Sequence, residues 1–100
     1  MSGYRLRPSA EADMDAIWEY SCRTWSADQA DRYIDDLFDA FELLGEAPGL
    51  GQEAFAVAAG YRRLRVGHHL VFYRSAGVGA VDIVRVLHEK SDVSPHLGEE

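Results

Sequence analysis

The sequence predicts an α+β fold: an N-terminal strand and an antiparallel helical hairpin packed on one face of a mostly antiparallel β-sheet. Three observations predict it. Two consecutive stretches carry apolar residues at helical spacing with almost no linker between them, which dictates a hairpin. Three later runs have strand character and are divided by glycine-containing turns. The order of strand, two helices and three strands is that of helices gathered on one side of a sheet.

The first run, "YRLRP", alternates apolar and basic residues and reads as a short strand ended by Pro8. Ser9 is placed to cap a helix whose stripe is Ala10, Met14, Ile17, Trp18, Ser21 and Trp25. Glu11 and Asp13 fall in its first turn, where acids suit the helix dipole. Ser26 opens the second helix with "SADQ", a capping box in which Gln29 can reach back to the Ser26 amide. Its stripe runs Ala30, Tyr33, Ile34, Leu37, Phe38, Phe41 and Leu44, and Gly45, Pro48 and Gly49 stop it. Trp18, Trp25 and Tyr33 read as core or hairpin packing, and Cys22 beside them as an inert small side chain. After the loop "GLGQEAFAVAAG" come "YRRLRV", "HHLVFYR" and "AVDIVRVLH", with Gly67 and "SAGVG" at the turns.

With 47% hydrophobic and 27% charged residues, the 100-residue chain reads as one soluble globular domain, residues 1–100, with 91–100 a loose tail. A lone cysteine cannot form an internal disulfide and fits a reducing compartment. "MSGYRLRPSA" is too polar for a signal peptide, and no apolar run reaches membrane-spanning length, so a cytoplasmic location is expected. The net charge of -7 hides an asymmetry. Ser9 to Ala47 holds 11 acids against Arg23 and Arg32, giving -9; Tyr61 to Lys90 holds six bases against Asp82 and Glu89, giving +4. One acidic and one basic face are expected, the basic one arginine-rich and suited to carboxylate or phosphate.

Strict alternation assigns the strand faces. In "HHLVFYR", Leu70 and Phe72 share one face, Val71 and Tyr73 the other. In "AVDIVRVLH", Val81, Ile83, Arg85 and Leu87 share one face, with Val84 and Val86 opposite, flanked by Asp82 and His88. Both faces are apolar and the hairpin covers one, so the other needs the tail, a second copy or a different protein over it. His68 and His69, adjacent on an extended run, point to opposite faces and cannot chelate one metal together. "GLGQE" lacks the lysine and following helix of a phosphate loop. No metal and no cofactor is expected.

"YRLRPSAEADMDAIWEY", "GLGQE", "GYRRLRVGHHLVFYR" and "IVRVLHEKSD", in that order and spacing, resemble the ParE toxins of bacterial type II toxin–antitoxin systems, within the RelE/ParE superfamily. The resemblance runs from Tyr4 to Leu97. It implies a RelE/ParE-like fold and a toxin wrapped by the C-terminal segment of a ParD-like antitoxin. It also implies action on DNA gyrase in the ParE branch, or cleavage of messenger RNA on the ribosome in the RelE branch.

Metal-free ribonucleolysis needs a base, an acid and cations for the phosphate. His88 or Glu53 could move protons, with Arg65 and Arg85 for charge. Ribonuclease members often carry an aromatic residue shortly after the last strand, where this chain reads "EKSDVSPHLGEE". A pI near 4.9 also suits ribosomal RNA poorly. The expectation is therefore a non-catalytic ParE-type gyrase poison that makes no sequence-specific contact with nucleic acid. The alternatives are a RelE-like endoribonuclease using Arg65, Arg85 and His88, or a non-toxic binding module of the same fold. Leu70, Phe72, Ile83 and Arg85 are assigned to the antitoxin; Arg62, Arg63, Arg65 and His88 are assigned to the target. For Arg85 the plain alternative is a bridge to Asp82 or Glu89, and for His88 a backbone hydrogen bond.

Overall fold

The computed structural model describes residues 3–54, 59–77 and 79–90. In chain order these form β1 (Tyr4–Leu6), α1 (Pro8–Thr24), α2 (Ala27–Glu46), a 3₁₀ turn (Pro48–Leu50), β2 (Gln52–Glu53), β3 (Tyr61–Val66), β4 (His69–Ser75) and β5 (Val81–His88). The sheet order is β1-β5-β4-β3-β2, with β1 parallel to β5 and every other pair antiparallel. The α+β expectation holds, and the parallel edge makes the sheet mixed. The expected loose tail, 91–100, lies outside the described residues.

Local chemistry explains the helix ends, with two corrections. Pro8 does not simply end β1; it opens α1, where its fixed φ suits the helix and its missing N–H costs nothing. Arg7, not Ser9, is therefore the capping position. Ser26 caps α2 as expected, its hydroxyl accepting from the Gln29 amide at 3.1 Å. Gly45 does not stop α2, which runs on to Glu46. Gly45 is there for close approach: a Cβ at this position would come within 2.7 Å of the Gly3 backbone.

The main core lies between the hairpin and the sheet. Ala10, Met14 and Ile17 of α1, with Leu37, Phe41 and Leu44 of α2, meet Val71, Tyr73, Val81, Ile83 and Val86. Each large apolar side chain buried here contributes roughly 1.5–3 kcal/mol. Of the two tryptophans expected in core or hairpin packing, Trp25 departs from the expectation and Trp18 meets it at the hairpin. Trp25 is 67% exposed and belongs to no core; Trp18 is partly exposed and bonds across the hairpin, its Nε1 donating to Asp31 at 3.0 Å.

A β-bulge corrects the face assignment of β5. Val84 and Arg85 stand opposite the single residue Phe72, and Ile83 pairs with Tyr73. The extra residue resets the alternation, so Val86 joins Val81 and Ile83 under the helices. Val84 and Leu87 face away from the helices with Phe72, and the half-buried Tyr61 and Leu70 pack against them. Phe72 and Val84 are fully buried within the chain itself, so neither needs a second copy or a partner to cover it.

Candidate functional site

The outer face of the sheet gathers the arginines. Register places Tyr61, Arg63 and Arg65 of β3 on the same side as Arg74, Phe72 and Leu70 of β4. Asp82, only 5% exposed, holds the β1 end of this face. Arg5 grips it with two hydrogen bonds, at 2.9 and 3.2 Å, and Arg74 approaches at 3.8 Å. Arg74 also lies 5.7 Å from the Tyr61 ring centre and donates to its hydroxyl at 3.2 Å. At the other end Arg65 meets Glu89 at 2.7 Å. Arg63 and Arg65 are exposed and border a groove of about 590 Å³ shared with Gln52, Leu70 and Glu89. The surface is a cationic rim around a small apolar centre, which can receive an acidic, partly apolar segment.

A second concavity, of about 440 Å³, opens between the hairpin tip and the end of the sheet. Tyr20, Ser21 and Trp25 of the α1 end, Gln29, Arg32, Tyr33 and Asp36 of α2, and His68, His69 and His88 line it. His68 lies in the turn before β4 and not on the strand, so both adjacent histidines reach this cleft, contrary to the opposite faces expected. The Tyr33 hydroxyl bonds the Val66 carbonyl and His69 Nδ1, and accepts from the His68 amide. Burial pushes the Tyr33 hydroxyl pKa up. Burial also pushes His69 down, and His88 and His68 add to that. Glu89 is held below the usual carboxylate range, first by its hydrogen bond with His68 and then by Arg65. Among the described residues no group of three or more His, Cys, Asp or Glu side chains could hold a metal ion.

The residues assigned to the antitoxin do not share a surface. Leu70 and Phe72 are on the outer face, Leu70 half-buried and Phe72 fully buried. Ile83 is fully buried under the helices. Arg85 turns toward α1, where its Nε and Nη2 meet Asp13 at 2.8 and 2.7 Å. Both side chains are nearly buried, at 13% and 12% exposure, and Asp13 also accepts from the Val86 amide at 2.9 Å. The carboxylate expected from an antitoxin, or from Asp82 or Glu89, is thus Asp13 of the chain's own helix. The sequence showed Asp13 only as a first-turn acid, because its partner lies 72 residues away.

The residues assigned to the target divide as well. Arg63 and Arg65 are on the outer face; Arg62 braces β2, donating to the Gly51 carbonyl at 2.7 Å and meeting Glu53 at 3.5 Å. His88 is on the helix side, its Nδ1 accepting from the Lys90 amide at 3.2 Å, the backbone bond given as its plain reading. The candidate ribonuclease set of Arg65, Arg85 and His88 is therefore not brought together. Arg5, Arg74 and Asp82 were missed, since only the β1–β5 pairing joins Arg5 to Asp82. The alternation of "YRLR" was the available signal.

A family model described as the ParE toxin of the type II toxin–antitoxin system, parDE, matches residues 4–93. Toxin ParE1 of Caulobacter vibrioides is 46% identical over 98 residues, covering 98% of this chain and 100% of that one. Toxin ParE1 of Mycobacterium tuberculosis is 38% identical over 96 residues, 96% and 98% of the two chains. Toxin ParE of Escherichia coli is 31% identical over 99 residues, 99% and 96%. A chain from a solved structure of the chromosomal ParDE TA system from P. aeruginosa superimposes with a TM-score of 0.74 at 20% identity. That superposition covers 88% of this chain and 96% of the other, a likeness of fold.

Proposed function

We propose, because the chain belongs to the ParE toxin family of type II toxin–antitoxin systems, that it poisons DNA gyrase by binding it and is neutralised by a ParD-like antitoxin. No chemistry of its own is needed. The observation that favours binding over catalysis is the separation of the three candidate ribonuclease residues. Arg65 is on the outer face and tied to Glu89, Arg85 is locked to Asp13 under the helices, and the His88 Nδ1 lone pair is engaged by the Lys90 amide. A metal-free nuclease needs its base and cations around one phosphate.

The outer sheet face is the surface for both partners in this reading. An acidic, apolar antitoxin segment laid over Leu70 would meet Arg63 and Arg65, and would mask the arginines that gyrase contacts. Phe72 supports this surface from beneath; Ile83, Arg85, Arg62 and His88 are reassigned to the fold. The cytoplasm, where gyrase works, is the corresponding location, and no described helix is long and apolar enough to cross a membrane. The test is expression without antitoxin. Growth arrest with broken DNA and intact messenger RNA, reversed by a ParD-like antitoxin, is expected. Codon-positioned mRNA cuts that vanish in His88→Ala would move the protein to the ribonuclease branch.

A further inference from the structure

The cleft at the hairpin tip serves no part of this reading, and its fixed charges select no occupant. Arg32 and Asp36, of opposite sign, line it one turn apart on α2, leaving the three histidines as its distinctive chemistry. They form one cluster. The His68 and His88 rings stack with centres 6.4 Å apart, and His69 meets His88 edge-on at 5.5 Å.

Each ring has its Nδ1 committed to a different partner. His68 Nδ1 lies 3.0 Å from the Glu89 carboxylate, His69 Nδ1 meets the Tyr33 hydroxyl, and His88 Nδ1 accepts from the Lys90 amide at 3.2 Å. We propose that His88, packed against His68 and His69, is an acid-sensitive latch that closes the turn after β5 when its ring is neutral and releases it when protonated.

The asymmetry of the three bonds carries the mechanism. A proton on His68 strengthens its contact with Glu89, which also holds Arg65 at 2.7 Å. The Tyr33 hydroxyl has one proton to give, to Val66 or to His69, so His69 can sit there as donor or acceptor. His88 has no such freedom. An amide N–H needs a lone pair on Nδ1, so the bonded ring is neutral with its hydrogen on Nε2. Protonation puts a second N–H against the Lys90 amide and breaks the bond. The imidazolium then lies against the His68 and His69 rings.

The charged groups around the cluster do not cancel this. From α2 come Arg32 and Asp36, from α1 Asp13, from β3 Arg65, and from the turn itself Glu89 and Lys90. Glu89 is shared by Arg65 and His68, and Asp13 is held by Arg85 and the Val86 amide. Asp13 and Glu89 act on His69 through their charge, and Asp36 lines the cleft with His69 and His88. A second bond of the turn runs between backbone groups, from the Glu89 amide to the His68 carbonyl at 2.9 Å.

The test is an NMR titration of the full chain from pH 7.5 to 5.5, reading imidazole nitrogen shifts and amide exchange corrected for intrinsic rate. At pH 7.5 the His88 Nδ1 should resonate as an acceptor nitrogen. The Lys90 amide should lose at least tenfold in protection as that nitrogen takes its proton. His88→Asn keeps an acceptor oxygen near the Nδ1 position but cannot be protonated; its Lys90 protection should change less than twofold. Three results would overturn the latch: a proton already on His88 Nδ1 at pH 7.5, Lys90 protection that ignores the titration, or the same loss in His88→Asn.

Discussion

Replacing Asp13 by alanine tests the buried pair that ties β5 to α1. The change removes both oxygens that meet Arg85, at 2.7 and 2.8 Å, and the acceptor of the Val86 amide at 2.9 Å. At 13% exposure the Arg85 side chain cannot turn to water without moving α1 or the bulge. Removing one partner of a buried pair costs about 3–5 kcal/mol, a large part of the roughly 5–15 kcal/mol that stabilises a domain. At ~4 °C per kcal/mol, a cost of ~3 kcal/mol lowers Tm by about 12 °C. Asp13→Asn keeps an oxygen for the Val86 amide and should cost about half as much. Adding Arg85→Leu to Asp13→Ala should recover stability, because apolar replacement of a whole buried pair is often neutral. Urea unfolding of the four proteins gives the comparison. A loss below ~1 kcal/mol in Asp13→Ala, or a double variant less stable than the single, would refute the reasoning.

Other outcomes follow from single contacts. Gly45→Ala drives a Cβ to 2.7 Å from the Gly3 backbone and should cost ~1–3 kcal/mol by denaturant unfolding. Gly67 sits at φ +59, and a Cβ there would come within 2.7 Å of the Tyr33 ring, so Gly67→Ala should destabilise by a similar ~1–3 kcal/mol. Burial lowers the His69 pKa, so its folded value lies below the unfolded value of ~6.5 and the unfolded chain binds more protons. That contribution to stability is complete above pH ~6.5 and declines as pH falls below it; unfolding measured from pH 8 to 5 should show the decline, and His69→Gln should flatten it. Arg63→Glu with Arg65→Glu should slow antitoxin association and reduce its salt dependence, read by stopped-flow kinetics.

Sequence pattern reached local structure and stopped at long-range pairing. The helices were legible because a 3.6-residue stripe and a Ser26 cap act within a few residues. The faces of β5 were not, because a two-residue period carries no mark of the extra residue opposite Phe72. Arg85 pairs with neither Asp82 nor Glu89, the near neighbours in its own strand and turn, but with an acid on a helix 72 residues earlier. The arginine-rich half was visible from composition. Which arginines face solvent depended on register, leaving Arg63 and Arg65 outward and turning Arg62 toward Gly51 and Glu53. His68 shows the same limit in miniature, since placing it in the turn instead of the strand moved its ring into the cleft.

A toxin that stops gyrase by binding alone should do so with no other cellular component present. Purified toxin added to DNA gyrase, ATP and relaxed plasmid measures it directly. Dose-dependent loss of supercoiling, with accumulation of linear plasmid after detergent and protease, is expected, and His88→Ala should inhibit as well as the wild type. Unchanged supercoiling at saturating toxin, with no cleaved plasmid trapped, would contradict the account.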